Sequence, residues 1–309
     1  MSSIPRKAVV QVEELRKVYG SVVAVDDVSF KVYEGEIFGM VGPNGAGKTT
    51  TIECIEGLRR PDGGHTEVLG LDPQRDAYAL RERIGVQLQE AVLQDRIKVW
   101  EALDLFASFY PRSTDWETLL EQVGLAEKRN DHFAKLSGGQ KQRLFIVLAL
   151  INDPELVFLD ELTTGLDPRA RHAMWDLVRE IRKAGKTVFL TTHFMEEAER
   201  LCDRVAILDH GQIVALDSPE NLIRNLGAEN RVVFTVDGAF EPDRLKSLDA
   251  VTRIEETGER VIVYGHGDNL VGDVISALTS GGIRFRDLHT EQPNLEDVFL
   301  AHTGREMRE

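Results

Sequence analysis

A glycine-rich segment between an apolar run and a helical pattern constrains the fold more than any other part of the sequence. Residues 42–49 read GPNGAGKT, match the spacing G-x-x-x-x-G-K-[ST], and follow the apolar run Ile37–Val41. Glycines let backbone N–H groups curl around phosphate oxygens, and the start of a helix adds a favourable dipole. Lys48 supplies a charge to the phosphates and the Thr49 hydroxyl can bind Mg²⁺. The strand–turn–helix context favours this interpretation over a turn with an incidental lysine. The predicted nucleotide-binding residues of the segment are Gly42, Pro43, Asn44, Gly45, Ala46, Gly47, Lys48, Thr49 and Thr50.

A second apolar run ends in two acids. The residues LVFL at 156–159 are followed by Asp160 and Glu161. In open α/β sheets, ligands lie at the carboxyl ends of the strands. We therefore expect Asp160 to bind Mg²⁺ and Glu161 to polarise the attacking water as a general base. Taken alone, such acids are more often solvated turn residues, and it is the phosphate loop that favours a catalytic role.

Composition and charge narrow the class of protein. The chain has 309 residues, of which 42% are apolar and 29% are charged, and its formal net charge is −15. A chain with this net negative charge does not attract nucleic acid, so we expect no nucleic-acid partner.

The longest apolar run, Leu144–Ile151, is far shorter than the roughly 20 residues a spanning helix needs. The start of the chain does not resemble a secretory signal, and Cys54 and Cys202 are expected to be reduced, partly buried thiols. We expect a cytoplasmic protein that reaches the inner face of the membrane only by docking onto another chain.

The pattern along the chain indicates an α/β fold with a second, smaller domain. Residues 9–33 alternate as antiparallel strands do, and continuous apolar strands recur at Leu156–Leu159, Thr187–Thr191 and Val205–Leu208 with helical segments between them. Buried strands that alternate with helices imply a mostly parallel sheet covered on both faces. A helical subdomain is predicted at about residues 88–150. In it Ala102, Leu103, Phe106 and Phe109 share one face, and Leu119, Leu120 and Val123 share another.

A small C-terminal α+β domain is predicted from 227 to 309, after a first domain from 8 to 226. The boundary is placed after Leu226-Gly227, and Gly258 is predicted to form a hairpin turn because that turn needs a positive φ. In the tail, Leu295, Val298, Phe299 and His302 form one stripe of a helix that packs on its own domain. The alternative is an accessory role in regulation or in stabilising a dimer.

The segment LSGGQ supplies a second phosphate site. Ser137 can cap the helix Lys141–Ile151, and the two glycines expose backbone N–H groups at the positive end of that helix. Two half-sites on one chain are useful if two copies pair head to tail, each completing the ATP site of the other. A plain helix cap is the alternative. The predicted signature residues, acting on the partner copy, are Leu136, Ser137, Gly138, Gly139 and Gln140.

The phosphate loop, LSGGQ and FLDE, in this order, resemble the nucleotide-binding domain of ATP-binding cassette (ABC) proteins over about residues 8–220. The resemblance implies the P-loop NTPase fold, with N-terminal antiparallel strands, a mostly parallel sheet and a helical subdomain. It also implies that the chain is an ATPase that uses ATP and Mg²⁺. One departure is Leu162, which stands where the family usually has proline.

The resemblance assigns roles to four further residues. Tyr19 resembles the aromatic residue that stacks on adenine, and His193 resembles the histidine that contacts the γ-phosphate. Gln89 resembles the glutamine that senses Mg²⁺ and the γ-phosphate beside the membrane partner, with Gln87 as the alternative. Asp167 resembles the residue that crosses the dimer interface. The implied catalytic set is Glu161, His193 and Gln89, and the implied metal set is Thr49, Gln89 and Asp160.

Three kinds of ABC protein carry a nucleotide-binding domain of this type: transporters, DNA-repair or chromosome ATPases, and translation factors. DNA-repair and chromosome ATPases usually separate the phosphate loop from the signature by a long coiled coil, whereas Lys48 and Leu136 are here only 88 positions apart. Translation factors usually carry two cassettes and basic linkers. The transporter class is therefore favoured. The segments TTHFMEEAERLCDRVAIL and QPNLEDVFLAHTGREMRE resemble daunorubicin-resistance and related multidrug exporters, which implies export of drugs or other hydrophobic compounds through a separate membrane-spanning subunit.

Overall fold

The computed structural model describes residues 6–87, 92–227, 229–236, 242–267 and 269–305. The chain forms two compact units. The first comprises Met1–Pro219 with His302–Glu309, and the second comprises Glu220–Ala301. The division falls after Pro219, the first residue of the helix Pro219–Asn225, whereas the predicted boundary lies at Leu226-Gly227, after that helix. Gly227 has a φ of 58° and ends this helix, so the glycine marks a helix C-terminus and not a linker between domains.

The first unit contains two sheets. Its strands are β1 (Ala8–Tyr19), β2 (Val22–Tyr33), β3 (Ile37–Val41), β4 (Gly63–Val68), β5 (Ile84–Gln87), β6 (Leu156–Asp160), β7 (Thr187–Thr192), β8 (Arg204–Asp209) and β9 (Gln212–Asp217). The antiparallel sheet has the order β2-β1-β4, and the larger sheet has the order β5-β6-β7-β3-β8-β9. In the larger sheet every neighbouring pair is parallel except β8 and β9. The prediction of a mostly parallel sheet preceded by antiparallel strands is confirmed.

Helices accompany these strands along the chain. They are α1 (Lys48–Ile55), α2 (Ala77–Arg81), α3 (Val99–Ala107), α4 (Trp116–Gln122), α5 (Gly138–Leu150), α6 (Pro168–Lys183), α7 (Met195–Leu201) and α8 (Pro219–Asn225), the last of which begins at the boundary between the units. Strands β3, β6 and β7 are buried at every position, as their continuous apolar sequences require. Three phenylalanines pack across them with tilted rings, and the ring centroids of Phe38 and Phe158 lie 5.4 and 5.5 Å from that of Phe189.

The order of the central strands positions the candidate site. Because β6, β7 and β3 are parallel neighbours, their carboxyl ends lie at one edge of the sheet. The segments that leave this edge are the phosphate loop after Val41, Glu161 after Asp160, and His193 after Thr192. Residues far apart in sequence are thus brought together by strand order alone.

Helices α3, α4 and α5 form a helical region with its own apolar core. Leu103, Leu120, Leu144 and Val147 are almost fully buried in it. Ala102 and Leu103 are buried as predicted, but the prediction for Phe109 is wrong. Helix α3 ends at Ala107, so Phe109 leaves the helical face and is 63% exposed.

The second unit is a small antiparallel sheet with helices. Its elements are β10 (Asn230–Val236), α9 (Asp243–Lys246), β11 (Val251–Thr257), β12 (Arg260–Gly265), α10 (Leu270–Ser280), β13 (Phe285–Glu291) and α11 (Leu295–Thr303). The sheet order is β11-β12-β10-β13, so the chain follows the split β-α-β-β-α-β path of ferredoxin-like folds. Gly258, with a φ of 63°, lies in the turn between β11 and β12, which confirms the predicted hairpin. Leu295, Val298 and Phe299 of the tail helix are buried, whereas His302 is exposed.

Candidate functional site

The phosphate loop connects β3 to α1. Gly47 precedes α1 with a φ of 104°, and a Cβ atom there would lie 2.4 Å from the carbonyl oxygen of Ala24. A side chain at this position would therefore both strain the backbone and clash with β2. Ala46 donates its N–H to Pro43 O at 3.1 Å and accepts from Gly211 N at 2.9 Å. The loop is thus packed against β2 and held by the turn between β8 and β9.

Lys48 lies across the inside of this loop and is only 4% exposed. Its Nζ donates to Gly42 O at 2.8 Å and to Pro43 O at 3.2 Å, and it lies 3.4 Å from Glu161 Oε1. Burial lowers the pKa of Lys48, while Glu161 and Asp160 act in the opposite direction. The ammonium group is therefore already surrounded by oxygen acceptors, which phosphate oxygens can replace.

Asp160 ends β6 and is 4% exposed. Its Oδ1 accepts a hydrogen bond from Thr191 Oγ1 on the neighbouring strand β7. Burial raises the pKa of Asp160, with a further contribution from Glu161, although Thr191 and Lys48 act against this increase. A buried carboxyl of this kind favours a cation nearby, since a cation would compensate the cost of ionisation.

Glu161 has a left-handed backbone, with a φ of 50°, which turns the chain sharply at the end of the strand. Its N–H donates to both the carbonyl and the hydroxyl oxygen of Thr191, each at 3.1 Å. Its Oε2 accepts from Thr164 Oγ1 at 2.9 Å and lies 2.8 Å from His193 Nδ1. Burial alone would raise the pKa of Glu161, but Lys48, Thr164 and His193 outweigh it and hold this pKa below its usual value.

The structure therefore brings Lys48, Asp160, Glu161 and His193 together at one edge of the sheet. Thr191, whose hydroxyl contacts both acids, was not among the predicted site residues. Its pairing with Asp160 follows from the register of β6 and β7, which only the sheet order reveals.

Gln89 lies outside the residues that the structure describes. The alternative, Gln87, is the buried last residue of β5 and pairs with Leu159.

The signature residues form the start of α5. Ser137 Oγ accepts from Gln140 N at 3.4 Å, and Gln140 Oε1 accepts from Ser137 N at 2.9 Å, so the two residues make a capping box. Leu136 is buried, whereas Ser137 and Gly138 are exposed. Across the residues that the structure describes, no hydrogen bond or ion pair joins these five residues to Lys48 or Glu161. The exposed helix start can therefore serve a phosphate of another molecule.

Tyr19 and Asp167 lie in local contacts of their own. Tyr19 ends β1, is 39% exposed, and has the guanidinium of Arg59 at 5.2 Å from its ring centroid. Asp167 Oδ1 accepts from Arg169 N and Ala170 N, each at 3.0 Å, and thereby caps α6. The structure thus gives Asp167 a capping role, and its predicted role across a dimer interface stays a prediction.

The residues present fit a magnesium ion bound with a nucleotide. Within the described ranges no group of three or more His, Cys, Asp or Glu side chains is arranged to hold a metal. Mg²⁺ is typically held by one or two protein oxygens together with substrate phosphates, and does not need a protein cage. The Asp160 carboxyl and the hydroxyl of Thr49, in the first turn of α1, are donors of that kind.

In the described part of the chain, no helix combines the length and the apolar character needed to cross a membrane. The longest helix in this part, α6, has 16 residues and carries several charges.

Comparison with known families finds a match to the ABC transporter model over residues 25–164. A second model, of an AAA domain (AbiEii toxin, type IV TA system), matches residues 132–197, which include the signature and the two acids.

Curated relatives match over almost the whole chain. A Nod factor export ATP-binding protein I of Rhizobium etli is 42% identical over 302 residues, which is 95% of this chain and 93% of that protein. The protein of the same name from Ralstonia nicotianae is 40% identical, over 97% of this chain and 95% of its own.

Solved structures resemble the first unit. An ATP-binding subunit of an ABC transporter superposes with a TM-score of 0.64 at 32% identity, and covers 71% of this chain and 93% of its own. A dimeric ATP-binding cassette bound to ADP and Pi superposes with a TM-score of 0.60 at 27% identity, over 68% of this chain and 98% of its own. These matches confirm the predicted fold class.

Proposed function

This chain belongs to the ATP-binding ATPase subunits of ABC transporters, and we propose that it energises an exporter through a separate membrane-spanning subunit. The observation that supports ATP hydrolysis is the cluster formed by Lys48, Glu161 and His193. Export as the direction of transport is supported by sequence similarity, over almost the whole chain, to proteins named for export.

The roles of the catalytic residues follow from their contacts. Lys48 exchanges its two carbonyl acceptors for oxygens of the β- and γ-phosphates. Glu161, whose pKa is held low, is ionised at neutral pH and polarises the attacking water. His193 bonds Glu161 through Nδ1, which leaves Nε2 for the γ-phosphate. Thr49 and Asp160 would hold Mg²⁺ in this proposal, and the bound ion would supply positive charge beside the phosphates. Gln89 stays a predicted third member of the catalytic set, and Tyr19 a predicted adenine contact.

A second copy of the chain completes each site. The exposed residues Ser137 and Gly138 present the start of α5 without contact to their own phosphate loop. We propose that they face the γ-phosphate held by the partner copy, and that Asp167 lies at the same interface. ATP then binds the closed dimer better than the open one, and hydrolysis removes that preference. The dimeric cassette with ADP and Pi supports this arrangement by its fold similarity.

Export of an organic compound is the finer part of the proposal. The relatives are named for Nod factor export, and the tail sequences resemble drug exporters. The names of the relatives and the resemblance to drug exporters both support outward transport. A role in antibiotic resistance is supported by the sequence resemblance alone. We propose that the helical region around residues 92–130 passes the motion to the membrane subunit, which selects the cargo. The second unit is proposed to be an accessory domain that regulates or stabilises the dimer.

The test begins with purification of the chain from its native membranes. We expect a polytopic subunit to co-purify in a complex with two copies of this chain. Recovery of DNA-processing proteins alone would overturn the transporter assignment. Direction is tested by comparing culture media from cells that carry wild-type protein or Glu161→Gln. Export predicts a compound that is depleted from the medium of the variant cells, whereas import predicts a compound left behind in that medium.

A further inference from the structure

A buried carboxyl lies behind the catalytic cluster without belonging to it. Glu197 is in the first turn of α7, which begins two residues after His193, and is only 2% exposed. The preceding acid of the same turn, Glu196, is exposed instead and pairs with Arg200 at 3.0 Å. Burying a carboxyl costs free energy unless hydrogen-bond donors compensate it, so the neighbours of Glu197 show what holds it there.

Three segments of the chain supply these neighbours. Trp175 of α6 is 1% exposed and donates its indole N–H to Glu197 Oε1 at 2.9 Å. Burial raises the pKa of Glu197, while the hydroxyls of Thr192 and Thr163 and the indole of Trp175 act against this increase. Thr192 ends β7, and Thr163 follows Glu161 by two residues. One carboxyl therefore lies beside the segments that carry both catalytic side chains.

The contact with Thr192 is the one closest to His193. Thr192 Oγ1 accepts a hydrogen bond from Phe194 N at 3.0 Å, so the residues on either side of His193 are joined to each other. This hydroxyl keeps its own proton to donate, and Glu197 is the acid beside it. The His193 ring is bonded on its other side to Glu161, with Nδ1 at 2.8 Å from Oε2. The backbone that carries the imidazole is thus supported from behind by Glu197.

Helix α6 supports the same segment at a second point. The guanidinium carbon of Arg171 lies 4.1 Å from the ring centroid of Phe194, and that ring lies 4.1 Å from the ring of His193. The pairs Arg171–Phe194 and Trp175–Glu197 therefore fasten the start of α7 to α6 on both sides of one turn. A support of this kind fixes a reacting group without touching it.

We propose that Glu197 is a positioning residue for ATP hydrolysis, which holds the segment of His193 in place against that of Glu161. The inference rests on the proposed function, because it assumes that these two side chains act on the γ-phosphate and the attacking water. It concerns the reaction and not ATP binding, since in the described part of the chain no hydrogen bond or ion pair joins Glu197 to Lys48. A small displacement of a reacting group is enough to lower the rate strongly.

The test measures ATP turnover by the full chain, with Glu197→Ala as the main variant. Glu36→Ala is the matched control, because Glu36 is also 2% exposed and hydrogen-bonded, to Tyr33 N and Arg204, but it precedes β3 at the opposite edge of the sheet. Both variants should lower Tm. We expect Glu197→Ala to lower kcat at least tenfold with the KM for ATP within about twofold of wild type, and Glu36→Ala to leave both within twofold.

Two milder changes keep the test independent of folding. Glu197→Gln retains an oxygen that can accept from Trp175 Nε1, so its kcat should return to within about threefold of wild type. Trp175→Phe keeps an aromatic ring and removes only the donor, and should lower kcat at least threefold at unchanged KM. A Trp175→Phe chain with wild-type kcat would contradict the support even if Glu197→Ala did not fold.

The position of His193 is observed directly by NMR of protein labelled with ¹⁵N-histidine, where its ring signals are identified by their loss in His193→Asn. Glu197→Ala should shift the Nδ1 signal of His193, and Glu36→Ala should not. An unmoved signal, a kcat of Glu197→Ala within twofold of wild type, or a loss of kcat matched by a loss of ATP affinity would reduce Glu197 to a stabilising acid and leave the proposed ATPase intact. Wild-type turnover by His193→Asn would instead overturn the catalytic role on which the inference rests.

Discussion

At the scale of single residues, the site is held in place by contacts that a nucleotide must replace. Lys48 is satisfied by two carbonyl oxygens and by Glu161, and Thr191 holds both Asp160 and Glu161. These groups are buried, so each interaction acts with little screening by water. Substitutions here should therefore separate the binding of ATP from its hydrolysis.

Lys48→Ala removes the charge that faces the phosphates. We expect ATP affinity to fall at least tenfold and ATPase activity to disappear, since no other cation of the described residues contacts this loop. Titration calorimetry and phosphate release measure the two effects. Lys183→Ala, at an exposed ion pair with Glu180, is the control and should behave as wild type. Near-normal turnover by Lys48→Ala would contradict the proposed site.

Thr191→Val keeps the shape of the side chain and removes its hydroxyl. Because Asp160 loses a donor and Glu161 N loses one acceptor, we expect kcat to fall roughly tenfold or more while the affinity for ATP changes little. Thr187→Val changes the same residue type at the other end of β7, where the hydroxyl accepts from Gly35 N. It should cost about 1 kcal/mol of stability and leave kcat unchanged. Equal effects of the two variants on kcat would refute the role of Thr191.

Glu56, which directly follows α1 and is only 3% exposed, makes the stability of the chain depend on pH. The folded chain keeps this carboxyl protonated up to about pH 9, whereas the unfolded chain releases the proton near 4.5. Stability is therefore lost as pH rises between these values, by at most about 1.4 kcal/mol per pH unit. Glu56→Gln lacks this loss, so its Tm should exceed that of wild type by an amount that grows from pH 6 to pH 8. A Tm difference that is constant or negative over this range would show that the carboxyl is paired.

At the scale of elements, much of the site could be predicted from sequence because each motif lies at the end of an apolar strand. The apolar runs before Gly42 and Asp160 predicted the two strands, and the glycines up to Gly47 predicted the phosphate loop. Sequence could not supply what depends on strand order, such as the contact of Thr191 with Asp160. The burial of Glu56 could not be predicted either, because a buried acid without a hydrogen-bond partner leaves no pattern in the sequence. The predicted boundary at Leu226-Gly227 lies after the helix Pro219–Asn225, whereas the compact units divide between Pro219 and Glu220.

The start of α5 has two explanations that a substitution can separate. Ser137 caps the helix within its own chain, and it is also proposed to act on the partner's nucleotide. Ser137→Ala should lower the ATPase rate at least tenfold while the monomer still binds ATP with wild-type affinity. Asp115→Ala removes the comparable cap of α4 and should cost about 1 kcal/mol of stability without slowing hydrolysis. A Ser137 variant that loses only stability would reduce the signature to a helix cap.

At the scale of the whole molecule, one chain holds two incomplete half-sites. The phosphate loop and the acids lie at one edge of the large sheet, and the exposed signature has no hydrogen bond to them in the described residues. ATP can therefore act as the bridge between two copies, and hydrolysis as the step that removes it. The second unit has a sheet and an apolar core of its own.

The most direct test of this account is the oligomeric state of Glu161→Gln in MgATP, measured by light scattering with bound nucleotide counted. We expect a stable dimer that holds two ATP molecules, because ATP binds but the water is not activated. Adding Ser137→Arg to the same chain should return it to a monomer that still binds one ATP. A Glu161→Gln chain that stays monomeric with ATP bound, or a dimer that Ser137→Arg does not disturb, would contradict the shared site.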